Sequence, residues 1–383
     1  MGPLRIGAVE LPVPVVLAPM AGITDVAFRR LVHGHGALLV SEMVTARGLV
    51  EDDARTWAMV DLPRGLGTRS LQLYGSDPAV LGAAVARLVD QDVVDHVDLN
   101  LGCPVPKVTR NGGGAALPVK RPLLRAVLRA AVGAAAGRVP VTVKMRVGLD
   151  VDRHTHLDAG ATAAEEGVAA VALHARTVAQ GYAGTADWER VAELRRLLPD
   201  ELPVLGNGDV WVAQDALALV ARTGCDGVVV GRGCLGRPWL FADLAAAFAG
   251  EQPEGPPAFH VAADHARRHL RLLLSAAGVD TPAADLDAVD AVVRRFRKHL
   301  RWYLEGYAPL PDGVHARAGR VGSVADVEAV LAAVPADATV PCDARRRPRG
   351  KTSPGRVKLP HGWWDDRDEQ VTVPDPTGVL SGG

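Results

Sequence analysis

Short apolar runs rich in Val, Leu and Ile recur along the first 240 residues, each followed by a longer Ala- and Leu-rich stretch. The runs are Val15–Ala18, Ala37–Val40, Ser70–Tyr74, Val97–Asn100, Val141–Lys144, Ala170–His174, Val204–Leu205 and Gly227–Val230. The intervening segments, such as Pro78–Val89, Leu123–Ala136 and Ala213–Arg222, have the composition of helices. Unbroken apolar strands alternating with helices describe a parallel sheet covered on its faces. Eight such units over about 240 residues predict a (β/α)8 TIM barrel, with an open doubly wound sheet as the alternative.

The barrel pattern ends near Gly250, so residues 1–250 are expected to form the catalytic domain. Residues 251–258, which begin Glu-Gln-Pro-Glu-Gly-Pro-Pro, lack periodicity and read as a linker. Helical spacing resumes over Phe259–Ala277, Leu286–Tyr307 and Val324–Val334, predicting a C-terminal helical domain over 259–335. The tail, 336–383, is polar, first basic and then acidic, and is expected to be irregular or disordered.

Charge sharpens this picture. The net charge is −1, yet Ala291–Arg320 holds seven Lys/Arg against two acids, and Pro341–Lys358 seven against one. An acidic body with a basic C-terminal third suggests a polyanionic partner there; a solvated charged face is the plain alternative. The four cysteines, Cys103, Cys225, Cys234 and Cys342, form no CxxC pair and no metal-ligand spacing, which fits a reducing cytoplasm and predicts no metal. The apolar stretch Leu11–Leu17 is broken by Pro12 and Pro14, unlike a leader peptide. No apolar run reaches the roughly 18 residues of a membrane span, so no membrane partner is expected.

The unusual polar residues sit just after the strand runs: Pro19-Met20-Ala21, Glu42, Gln72, Asn100, Lys144, His174, Asn207 and Gly231-Arg232. In a parallel barrel these positions converge on the face where active sites are built. Gly227–Gly233 places a glycine turn and Arg232 after the last strand, and Gly206-Asn207-Gly208-Asp209 puts a second turn beside it. Together they suit a phosphate-bearing cofactor. A cation at Lys144 and an amide at Gln72 could serve a flavin ring, although a lysine there could equally hold an ion pair. No GxGxxG fingerprint runs directly into a helix, which favours bound FMN, with any nicotinamide cofactor visiting transiently. Cys103 lies in a loop between Gly102 and Pro104, where it could act as a thiolate nucleophile or a thiol acid. The glycines of Arg110–Ala116 could make a mobile flap behind it.

In this order, Ala18-Pro19-Met20-Ala21-Gly22-Ile23-Thr24-Asp25, Ser41-Glu42-Met43, Leu71-Gln72-Leu73, Asp98-Leu99-Asn100-Leu101-Gly102-Cys103-Pro104, Lys144-Met145-Arg146, Leu173-His174-Ala175-Arg176-Thr177, Gly206-Asn207-Gly208-Asp209 and Gly231-Arg232 resemble the serial motifs of tRNA-dihydrouridine synthases, nearest the bacterial B-type branch. The resemblance spans roughly residues 5–335. It implies an FMN-dependent oxidoreductase that saturates the C5–C6 bond of uridines in tRNA, with NADPH as transient reductant. It further implies that Pro19, Met20, Ala21, Asn207, Gly208 and Asp209 line the flavin. Gln72 and Lys144 would meet its ring, Gly231 and Arg232 its phosphate, and His174 both flavin and substrate. Cys103 would be the catalytic acid, while Asn100 and Arg176 would face the substrate. Arg294, Arg295, Arg297, Lys298 and Arg301, with Trp302 and Tyr303, resemble the helical tRNA-recognition segment; helix packing is the plain alternative for the two aromatics. The tail after Pro335 extends beyond the usual family end, and its basic stretch Arg345–Lys351 either adds tRNA contacts or is a solvated appendage. A monomer is expected. Two other functions remain open on sequence: an FMN barrel acting on a free pyrimidine, and a non-catalytic RNA-binding protein.

Overall fold

A computed structural model describes residues 2–281 and 285–371. Eight parallel strands close into a barrel: β3 (Val15–Leu17), β4 (Leu38–Thr45), β5 (Ser70–Tyr74), β6 (His96–Leu101), β7 (Val141–Arg146), β8 (Ala170–His174), β9 (Val204–Asn207) and β10 (Gly227–Val230). β10 pairs with β3 to complete the ring, Val229 opposite Val16. The sequence reading of eight βα units therefore holds, and the open sheet does not.

Helices cover the outer face because their apolar positions recur every three to four residues. In Pro78–Asp90 these are Leu81, Ala84, Val85 and Leu88, all buried. Asp77 starts that helix by accepting from the N–H groups of Ala79 and Val80, and Pro78 occupies the first turn, where its missing N–H costs nothing.

Two short strands, β1 (Leu4–Ile6) and β2 (Val9–Leu11), were not anticipated. They form an antiparallel hairpin, and their apolar alternation turns Leu4, Ile6, Val9 and Leu11 onto the same buried cluster as Val16, Val40, Ala172 and Val229. The hairpin plugs the barrel bottom, which leaves the opposite end for the chemistry.

Among the described residues, 251–258 carry no helix or strand. Helices Phe259–Ala276, Leu286–Leu304, Val314–Ala318 and Val324–Ala332 follow, and their shared core includes Ala262, Ala266, Leu270, Val293, Phe296 and Leu300. Ala27, on the first barrel helix, belongs to the same core and joins the two parts.

The tail differs from expectation. Residues 345–371 form no helix or strand, yet they are packed rather than loose. Arg349 is 2% exposed and donates to the carbonyls of Leu235, Trp302 and Glu305. Trp363 is buried and its indole N–H donates to the Ala116 carbonyl at 2.8 Å. The tail's end from 372 onward lies outside the described residues.

Candidate active site

A cleft of about 890 Å³ opens at the carboxyl ends of the barrel strands. Most strand-end residues singled out by sequence meet there: Pro19, Met20, Ala21, Gln72, Asn100, Cys103, Lys144, His174, Asn207, Gly208, Asp209, Gly231 and Arg232 line it, whereas Glu42 does not and accepts from the Gly22 N–H. Convergence follows from the parallel topology, which brings the end of every strand to one rim.

A directional chain of hydrogen bonds crosses the floor. Asp98, buried inside the barrel, accepts from Thr142 Oγ1 at 2.6 Å and from Gln72 Nε2 at 2.7 Å. Gln72 Oε1 accepts from Asn100 Nδ2 at 2.8 Å. Asn100 Oδ1 in turn accepts from the N–H groups of Cys103 at 2.8 Å and Gly102 at 3.1 Å. A carboxylate that only accepts stands at one end and backbone N–H groups that only donate at the other, so both amides have one workable orientation. Asn100, expected to face the substrate, spends its polar atoms holding the Cys103 loop.

The Cys103 loop is held on two more sides. Arg146, at the end of β7, donates to the Gly102 carbonyl at 3.0 Å and also to those of Thr177 and Gly181. The glycines after Cys103 do not make a free flap. Gly114 (φ +54°) turns the chain so closely that a Cβ there would lie 2.7 Å from the Cys103 carbonyl, and Ala115 donates its N–H to that same oxygen. Gly112 lies against the Trp363 ring, where a Cβ would come within 2.9 Å.

Burial pushes the Cys103 thiol up from its ordinary value, opposed by the Val105 N–H and the charges of Arg146 and Lys144. The thiol therefore holds its proton at neutral pH. Burial and the neighbouring Arg146 bring the Lys144 ammonium down to about 8. Lys144 makes no ion pair among the described residues, so the structural alternative for this lysine finds no partner. His174 is driven well below its usual range by burial and by Arg146, Lys144, Arg176 and Arg232, so it is neutral.

At the other end of the cleft, Gly233 is required: a Cβ would lie 2.0 Å from the Val210 carbonyl. Gly208 (φ +129°) similarly has no room, with Ala186 at 2.7 Å. Arg232 sits between the rings of Tyr182 and Trp211, at 4.7 and 5.1 Å, and burial lowers it to about 10.

The other predicted substrate residues lie elsewhere. Arg176 is 1% exposed and turned under the loops, its Nη2 2.8 Å from both Asp209 oxygens. The backbone turns directly after β8, where Arg176 N–H donates to the His174 carbonyl, so strand alternation no longer sets its direction. Arg297 donates to the Val321 carbonyl within the helical part, and Lys298 Nζ to the Gly22 carbonyl on the first barrel loop. Arg295 approaches Asp25 on that loop at 3.7 Å. Arg294 remains exposed. Of the two aromatics, Tyr303 is buried in the helical core, whereas Trp302 lines the cleft.

Sequence reasoning gave no site role to Tyr182 or Trp211, and of the tail it offered only Arg345–Lys351, as tRNA contacts or a solvated appendage; Tyr182, Trp211, Gly350, Lys351 and residues 353–356 also line the cleft. Nothing in their local spacing marks them. Among the described residues, no group of three His, Cys, Asp or Glu could hold a metal. No described helix is long and apolar enough to cross a membrane.

Comparison with known proteins agrees with this geometry. The family model described as dihydrouridine synthase matches residues 16–320, so the tail lies beyond the match. A probable tRNA-dihydrouridine synthase of Mycobacterium tuberculosis is 48% identical over 99% of this chain and 97% of its own length. One from Mycobacterium leprae is 45% identical over 96% of this chain and all of its own. Among solved structures, histamine dehydrogenase from Rhizobium sp. 4-9 has a TM-score of 0.51 at 11% identity, covering 87% of this chain and 64% of that one, a likeness of fold alone.

Proposed function

The chain belongs to the dihydrouridine synthase family, and from that premise we propose that it reduces the C5–C6 double bond of uridines in tRNA, using FMN and NADPH in the cytoplasm. The observation that carries the reading is a half-buried Cys103, its loop tied down by Asn100 and Arg146, at the lip of a cleft lined by cations.

The residues present fit a flavin mononucleotide. The close glycine turns at Gly208 and Gly233 let backbone approach a phosphate, with Arg232 beside them. Lys144, free of any carboxylate within ion-pair distance, can face the polar edge of the ring, where a cation favours the reduced anionic state. Gln72 is fixed by Asp98 and Asn100 and keeps one N–H for that edge. When bound, the flavin supplies the hydride that goes to C6 of uracil, and NADPH restores it.

Cys103 delivers the proton to C5 of the uracil. Its thiol needs no base, since it acts as an acid and already carries the proton. The thiolate left behind is stabilised by Arg146 and Lys144, the two cations that oppose the effect of burial, before solvent reprotonates it. Neutral His174 can hydrogen-bond the substrate without adding charge. The uracil must be drawn out of its stack to reach the cleft. Trp302 offers an aromatic face at the rim for a neighbouring base.

Cys103→Ala tests this. The variant is expected to keep its flavin and accept electrons from NADPH, yet to form dihydrouridine about 10²–10⁴-fold more slowly, the scale of a positioned acid. Normal dihydrouridine formation by the variant would assign the proton to another group.

A further inference from the structure

The tail beyond the family match builds one wall of the cleft. Arg349 pins it from inside, and Trp363 fixes its far side against the loop that follows Cys103. Between these anchors the backbone runs along the loops that follow β8 and β10. Lys351 carbonyl accepts from Arg232 Nη1 at 2.8 Å, and Ser353 carbonyl from Tyr182 N–H at 3.1 Å. Gly355 N–H donates to the Ala179 carbonyl at 3.0 Å. The approach is so close that a Cβ on Gly355 would stand 2.0 Å from the Val178 carbonyl, so this stretch is fitted to the barrel rather than laid over it.

Backbone anchoring leaves the side chains free. The cleft is lined by five cations, Lys144, Arg146, Arg232, Lys351 and Arg356, against one carboxylate, Asp209. Asp209 is engaged by Arg176, Arg146 by three carbonyls, and Arg232 by the Lys351 carbonyl. Lys144 lies at the barrel floor. Lys351 and Arg356 remain: both are exposed, both line the cleft, and neither side chain bonds a partner among the described residues. Two uncommitted cations on a fixed wall suit a ligand that carries several phosphates beyond the cofactor's own.

We propose that residues 349–363 form a strap that completes the substrate site, with Lys351 and Arg356 contacting phosphates of the RNA backbone that flank the reacting uridine. This rests on the RNA reading given above. The strap also fixes the carbonyl that orients Arg232, so one segment serves both the cofactor end and the substrate mouth.

The test uses the flavin-loaded full chain and an unmodified tRNA transcript, comparing wild type with Lys351→Ala/Arg356→Ala and Lys351→Glu/Arg356→Glu across salt. Affinity of the alanine variant is expected to fall about 2- to 30-fold, two exposed ion pairs' worth. The slope of log affinity against log salt should flatten by about 1.4, two single-strand phosphate contacts. The glutamate variant should bind more weakly still, while flavin content and melting temperature stay at wild-type values. Unchanged RNA affinity and slope in the glutamate variant would overturn the proposal. So would a raised KM for NADPH with RNA affinity intact, which would assign the pair to the reductant. Failure of wild type to bind the transcript would instead overturn the RNA reading, and the strap's role with it.

Discussion

Asn100→Ala is the sharpest probe of how the acid is positioned. The side chain makes three bonds to nitrogen or oxygen partners, the N–H groups of Cys103 and Gly102 and Gln72 Oε1, at 2.8, 3.1 and 2.8 Å, beside a weak fourth to Met43 Sδ at 3.4 Å. At about 1 kcal/mol net for each, alanine should cost about 3 kcal/mol in the order of the loop. If all of that order is needed when the proton moves, the rate of dihydrouridine formation falls about 10²-fold. Flavin binding should change far less, since Lys144 and the glycine turns are untouched.

Asn100→Asp refines the argument. A carboxylate still accepts from both N–H groups but now faces Gln72 Oε1 with no donor. Gln72 cannot turn over to help, because its N–H is committed to Asp98. Aspartate should therefore hold the loop but strain the floor, giving a rate between wild type and alanine. The assay is single-turnover dihydrouridine formation beside the rate of flavin reduction, with peptide-resolved alkylation of Cys103 reporting loop order. An alanine variant within about twofold of wild type in both turnover and alkylation would refute the positioning chain, because about 3 kcal/mol cannot vanish from both readouts.

Three further outcomes are expected. Arg232→Ala should weaken flavin retention by about 1.5–3 kcal/mol, the scale of a charged hydrogen bond, read by equilibrium dialysis. Arg176→Ala removes the two-pronged partner of part-buried Asp209, leaving it Arg232 at 3.6 Å and the Ala186 N–H, and should destabilise by about 1.5–3 kcal/mol while KM for tRNA holds, read by melting temperature beside kinetics. Lys144→Met tests the buried amine through pH. The folded value is about 8 against an ordinary 10.5, so between them the unfolded chain binds more protons and wild-type stability rises with pH. The melting temperature of flavin-free wild type relative to Lys144→Met should thus climb from about pH 8 to about 10.4 and stay level below; a flat difference throughout would mean the amine is not desolvated.

Much of the barrel was legible because each strand announces itself locally. β8 and β10 match their apolar runs residue for residue, and the polar residues at or just after the runs, such as Asn100, Lys144, His174, Asn207 and Arg232, reach the cleft because parallel strands share one rim. β1 and β2 escaped notice since three-residue strands are too short for an alternation to stand out. The tail was illegible for a different reason. Its order depends on single residues, Arg349 and Trp363, whose partners lie far away in sequence, and no period marks either one.

The site residues divide along the same physical line. Residue type and strand-end position were enough to bring Gln72, Lys144 and Cys103 together, since both are local properties. Direction was not, because it is decided by which carbonyl or carboxylate the fold brings within reach. Arg146, Arg176 and Arg232 sit at the ends of three strands and carry the same group. One binds three carbonyls, one the Asp209 carboxylate, and one lies between two aromatic rings with that same carboxylate at 3.6 Å. Arg232 is the one of the three that the flavin proposal assigns to a phosphate, while Arg146 and Arg176 hold the loops beside it.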